Sequence, residues 1–175
     1  MRTTSVRQER VPSSNEASTQ GFGAFFERES VRLLAALWLL TRNHAEAEEV
    51  LQEAFLKVWE RWDRVSSLED PAGYLYRTAM NEYRSRVRRA AVAVRKAVGA
   101  VPPDDAIARV EARETIVRAL GTLTPRERAV VVVTDLLGYP PNDAGPILGI
   151  RPSTVRVLSS RAHARLRDEM GDTDA

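Results

Sequence analysis

Cysteine is absent from the 175-residue chain. A disulfide framework and a thiolate metal site are therefore excluded, and a reducing compartment fits. Histidine occurs only at His44 and His163. His44 near Glu46 and Glu48 reads as an ordinary surface grouping at a helix start, so no metal is expected. A glycine-rich phosphate loop is missing, as is any Ser/His/Asp or Cys/His arrangement. Neither a cofactor nor enzymatic activity is expected. No apolar run approaches the length of a transmembrane helix, and residues 1–21 lack the hydrophobic stretch of a secretory signal. The expected location is cytoplasmic, with residues 1–20 forming a disordered tail.

Hydrophobic residues make up 43% of the chain, enough for one packed domain or two small ones. The formal net charge is only +2, but arginines cluster late, in segments that carry few acids. Such local excess matters more for nucleic-acid binding than the global balance.

Apolar residues from Phe22 to Leu40 recur at helical spacing and predict a first helix over 22–41. A second helix is predicted over 43–64, with Asn43 as cap and Glu46 completing a capping box. Its apolar stripe is Ala47, Val50, Leu51, Ala54, Phe55, Val58, Trp59 and Trp62. Its other face carries Glu46, Glu48, Glu49, Gln52 and Glu53, more acid than the helix dipole needs. That face is either a docking surface for a basic partner or simply solvated.

After the loop Val65–Glu69, Asp70 and Pro71 mark the start of a third helix. Tyr76, Ala79, Met80, Tyr83 and Val87 form its stripe to bury. Arg77, Asn81, Arg84 and Arg88 stand at i, i+4, i+7 and i+11 and form a second stripe beside it. A row of arginines with one asparagine suits a phosphate backbone with bases alongside.

Two prolines at 102 and 103 break the pattern, placing a linker over about residues 92–106. Ile107, Val110, Val117 and Leu120 begin a second helical half, in which Gly121 closes a helix. Thr124, Pro125 and Glu127 form a strong helix start, and Gly138 a stop. The four valines 130–133 would suit a buried strand, but the flanking caps favour a buried helix. A short helix from Pro140 or Pro141, a turn at Gly149 and a last helix from Pro152 to about Met170 have the spacing of a helix-turn-helix. The last helix carries Arg151, Arg156, Arg161, Arg165 and Arg167, with no acid before Asp168. Such a helix suits a major groove.

Ala45-Glu46-Ala47-Glu48-Glu49-Val50-Leu51-Gln52-Glu53-Ala54-Phe55-Leu56, the Arg/Asn helix, a linker, and then Leu123-Thr124-Pro125-Arg126-Glu127-Arg128 before a helix-turn-helix resemble a bacterial sigma factor of the extracytoplasmic-function (ECF) type. The resemblance covers residues 22–168. It implies an all-α protein of two small helical domains joined by a flexible linker, the second containing the helix-turn-helix. The implied boundaries are 21–91 for sigma region 2 and 107–170 for sigma region 4, with 171–175 as a tail. The implied partners are core RNA polymerase, through the clamp helices of its largest subunit and the flap of its second-largest, and promoter DNA. Many family members also have an anti-sigma factor.

By the same resemblance, Glu46, Glu49, Gln52 and Glu53 bind core polymerase. Ser66, Ser67, Arg77, Asn81, Arg84 and Arg88 bind the −10 element and trap an unstacked base. Arg151, Ser153, Thr154, Arg156 and Arg161 read the −35 element. The chain departs from the family where Asp143-Ala144-Gly145-Pro146 replaces the usual Glu-Ile-Ala-Glu, and where Leu158 and Ser159 replace an arginine and a leucine. Proline costs about 3 kcal/mol inside a regular helix and glycine about 1 kcal/mol relative to alanine. The expectation is a distorted first motif helix and altered −35 recognition. Two alternatives remain open: a free-standing helix-turn-helix regulator, and a sigma-like decoy that binds polymerase without directing it.

Overall fold

Side-chain caps fix where the helices begin. The Asn43 side chain accepts from the Glu46 amide at 2.9 Å, while the Asn43 amide donates to Thr41 Oγ1 at 3.2 Å. Asp70 Oδ1 accepts from the Gly73 amide at 2.8 Å. At Thr124 the capping box is reciprocal: the Glu127 amide donates to Thr124 Oγ1, and the Thr124 amide donates to Glu127 Oε2 at 3.0 Å. The computed structural model describes residues 14–96 and 111–171, and within them every regular element is helical. The order is α1 (Ser14–Thr41), α2 (His44–Trp59), α3 (Trp62–Val65), α4 (Pro71–Lys96), α5 (Glu111–Thr122), α6 (Pro125–Val131), a π-helical segment (Val132–Leu136), α7 (Pro141–Leu148) and α8 (Pro152–Gly171). The fold is all-α, in two helical halves.

Several boundaries differ from the sequence reading. Residues 14–20, expected in the tail, are the first turns of α1, and residues 1–13 lie outside the described chain. Residues 92–96, expected in the linker, continue α4, while 97–106, Ile107 and Val110 lie outside it. Gly121 does not close α5, which runs on to Thr122. The predicted second helix divides after Trp59. The break turns Trp62 inward, to 8% exposure, against Phe22 and Phe25 at ring distances of 5.3 and 5.1 Å. Trp59, expected in the buried stripe, stays 40% exposed.

In the first half, α1 and α4 both pack against α2, around Leu33, Leu37, Val50, Val58, Leu75, Tyr76 and Met80, each at most 1% exposed. Val87, expected to extend the α4 stripe, is 45% exposed. Arg86 instead turns toward α2, seven residues after the fully buried Ala79, so a charged side chain takes the place of an apolar one.

In the second half, Val130 to Val133 are all buried, in a helix rather than a strand. The run passes from α6 into the π-helical segment, where the Leu137 amide reaches back five residues to the Val132 carbonyl at 3.0 Å. The two halves share one core. Val132, Val133, Leu137, Ile147 and Leu148 belong to the same cluster as Leu33, Leu37, Tyr76 and Met80. A smaller cluster of Leu120, Leu123, Val131 and Ala162 is capped by Leu39 of α1.

The expected distortion at Pro146 is not found: α7 is an unbroken helix from Pro141 to Leu148. Pro146 sits near the end of a two-turn helix, so its missing amide deprives only the carbonyl of Asn142, an exposed residue that water reaches. Gly145 has a positive reason to be there. A Cβ at that position would lie 2.9 Å from the Ile150 carbonyl oxygen and 3.2 Å from Pro152 Cδ. Its carbonyl accepts from the Ile150 amide at 3.0 Å, which closes the motif turn onto α7. Gly149 makes that turn with φ +64°, a conformation glycine adopts without strain.

Candidate nucleic-acid interface

The helix-turn-helix presents α8 outward. Arg151, Ser153, Thr154, Arg156 and Arg161 are all exposed, whereas Val155 and Ala162 are fully buried beneath them. Arg156 Nη2 donates to Asn142 Oδ1 at 2.8 Å, which ties α8 to α7 across the turn. Arg165 lies 3.2 Å from the buried Glu127 and serves as an internal partner rather than a free cation. The hydrogen bonds from Thr124, with the guanidinium of Arg165 adding, hold the Glu127 carboxyl below the usual range. His163, one of the two histidines, pairs with Asp135 of the π-helical segment at 2.6 Å.

The α4 stripe is only partly open. Arg77, Asn81 and Arg88 are exposed, but Arg84 is half-buried. Its guanidinium donates to the Leu148 carbonyl at the C-terminus of α7 and to Asn81 Oδ1. Burial lowers the Arg84 pKa, with Arg88 and Arg77 adding like-charge repulsion. Ser66 and Ser67 are exposed in the loop before α4, and their hydroxyls donate locally to the Asp63 and Arg64 carbonyls at 3.3 and 2.8 Å.

On α2, Gln52 is exposed and Glu46 half-buried. Glu49 and Glu53 are both engaged by Arg86 of α4, through Nη1 and through Nη2 at 2.7 Å. These hydrogen bonds raise the Arg86 pKa. Part of the acidic face is thus a strap between two helices of the first half. Sequence reading missed Arg86, although its register with Ala79 is the signal that could have found it. Also missed was Glu29 of α1, 7% exposed, which accepts from Tyr76 Oη at 2.5 Å. Burial, and then the carboxylate, push the Tyr76 phenol well above its ordinary range.

The geometry is therefore an outward helix-turn-helix, an arginine stripe and an acidic helix, all on one all-α chain. Residues 25–92 match the model for sigma-70 region 2, and residues 113–166 match that for sigma-70 region 4. An ECF RNA polymerase sigma factor, SigM of Mycobacterium tuberculosis, is 31% identical over 156 residues, covering 86% of this chain and 77% of its relative. The chain belongs to the ECF sigma factor family. This sigma factor is also similar to the RNA polymerase sigma-E factor of Streptomyces coelicolor, at 27% identity over 79% of each chain. Its fold matches the sigma factor RpoE of Bartonella quintana, solved in complex with the anti-sigma factor NepR. That match has a TM-score of 0.73 at 22% identity and covers 85% of this chain and 97% of the other. As a sigma factor the protein directs RNA polymerase to promoters, and the RNA synthesis itself belongs to the polymerase. Among the described residues, no helix is long and apolar enough to cross a membrane.

Proposed function

We propose that three surfaces of this sigma factor divide the work of initiation in the cytoplasm. Glu46, Glu49, Gln52 and Glu53 dock on the clamp helices of the largest polymerase subunit, and the second half engages the flap of the second-largest. Ser66, Ser67, Arg77, Asn81, Arg84 and Arg88 engage the −10 element, hold an unstacked base and so assist strand opening. Unstacking costs a few kcal/mol, roughly, which that pocket must offset. Arg151, Ser153, Thr154, Arg156 and Arg161 read the −35 element. Arginines neutralise phosphates, while asparagine, serine and threonine reach base edges. An anti-sigma protein belongs to the same proposal, since a solved sigma factor of this fold carries one.

The observation that carries the reading is the exposure of Arg151 and of the four α8 candidates Ser153, Thr154, Arg156 and Arg161, above fully buried Val155 and Ala162. With α7 intact, a decoy with a broken helix-turn-helix loses its structural ground. The test is co-elution with sigma-free core polymerase, followed by run-off transcription on a genomic promoter library. Arg88→Ala should reduce promoter opening and leave co-elution intact. Glu49→Lys with Gln52→Lys should abolish co-elution. Identical behaviour of the two variants would refute the division of roles.

A further inference from the structure

The edge between α2 and α4 is a ladder of charges. On α2, Glu49, Glu53 and Lys57 stand at i, i+4 and i+8, and on α4, Glu82 and Arg86 stand at i and i+4. Arg86 reaches Glu49 Oε2 through Nη1 and Glu53 Oε1 through Nη2, the latter at 2.7 Å. Glu82 pairs with Lys57. The ladder is lopsided. Its α4 members are mostly covered, with side-chain exposures of 19% for Arg86 and 16% for Glu82. Its α2 members face outward, at 63% for Glu49, 43% for Glu53 and 47% for Lys57. Each exposed group is thus gripped from below by a covered one. Arg86 Nε is buried without a hydrogen-bond partner, so the guanidinium enters the ladder from the helix interface rather than from solvent.

From this asymmetry we infer that Arg86 is a positioning residue for polymerase docking: it holds the Glu49 and Glu53 carboxylates in the arrangement that a basic partner surface takes. The inference rests on the assignment of the acidic α2 face to polymerase. A free glutamate on a helix surface samples many rotamers, and ordering it on binding costs affinity. Arg86 imposes that order before the partner arrives. Its planar fork serves both carboxylates at once, which an ammonium point charge does not. It takes one oxygen of each, and a carboxylate accepts at about four positions, so both stay open to a second cation. A partner cation does not displace Arg86, because withdrawal would leave a mostly covered charge unpaired. The positive charge of Arg86 subtracts from the long-range pull of the face. Salt screens that pull between exposed charges, whereas it leaves fixed geometry in place.

Isothermal titration of the full chain into sigma-free core polymerase tests this. Arg86→Met keeps an apolar stem between the helices and removes the fork. It should weaken core binding on the order of five- to tenfold. Arg86→Lys should recover only part of that loss. In a Glu49→Ala, Glu53→Ala background, Arg86→Met should have no further effect, because nothing is left for the fork to hold. A purely structural role would weaken binding equally in both backgrounds, and that result would overturn the inference. So would unchanged or tighter binding by Arg86→Met. Carbon-13 relaxation of the side-chain carboxyls in the free wild type needs no variant to fold. Glu49 and Glu53 should be more ordered there than the exposed Glu69, and equal mobility would also overturn the inference. If Glu49→Lys with Gln52→Lys still co-elutes with core, the docking assignment fails instead, while the order of the two carboxylates in the free chain stands.

Discussion

Replacing Gly145 by alanine sets two effects of opposite sign against each other. Helix propensity alone predicts stabilisation, by about 1 kcal/mol for Gly→Ala in a helix interior. The structure predicts the reverse. The added Cβ would stand 2.9 Å from the Ile150 carbonyl oxygen and 3.2 and 3.3 Å from the Pro152 ring. The first neighbour is backbone held in a motif turn, so relief requires moving the turn away from α7. That motion weakens the 3.0 Å bond from the Ile150 amide to the Gly145 carbonyl. Overpacking typically costs about 1–3 kcal/mol, so the net expectation is a loss of up to about 2 kcal/mol. Gly23 supplies the control, because a Cβ there meets nothing within 4 Å and α1 continues on both sides. Gly23→Ala should gain about 0.5–1 kcal/mol. Urea unfolding followed by circular dichroism, with the slope unchanged between variants, measures both. If Gly145→Ala raises the midpoint as Gly23→Ala does, the close approach of turn and helix is wrong.

Other perturbations have equally definite signs. Arg86→Ala removes the group that joins Glu49 and Glu53 to α4, and should cost about 1–2 kcal/mol in the same unfolding assay. High salt should recover little of that loss, because the Arg86 side chain is only 19% exposed. Tyr76→Phe leaves the buried Glu29 without its phenol donor and should destabilise by about 1–3 kcal/mol, measured by thermal unfolding. Acid should weaken the fold through Glu127 and Glu82. Hydrogen bonds from Thr124 hold Glu127 below the ordinary carboxylate range, and Lys57 does the same for Glu82. Depressed carboxyls contribute stability that is full above the unfolded pKa and is lost as pH falls through the folded one. Thr124→Ala should therefore flatten the acid limb of a pH–stability profile, and an unchanged limb would refute the assignment to Glu127.

The chain by itself determined the local structure and the family. Asn43, Asp70, Thr124-Pro125 and Gly149 mark helix ends because capping and left-handed turns depend on a residue and its immediate neighbours. The acidic helix, the Arg/Asn stripe and the helix-turn-helix spacing are periodic signals, and periodicity survives without coordinates. What periodicity does not carry is which partner fills each face. Val87 fits the apolar stripe as well as its neighbours do, yet it faces solvent, because α2 meets α4 at that level with Glu49 and Glu53 and selects Arg86. Pro146 looks like a helix breaker until its position near the end of α7 limits the damage to one exposed carbonyl. Gly145 looks like a weakness until the Ile150–Pro152 turn closes over it. The seating of α7 against Arg84 is likewise a tertiary fact, joining residues 64 positions apart. Long-range pairs of this kind are decided by how whole faces pack, and no local propensity encodes them.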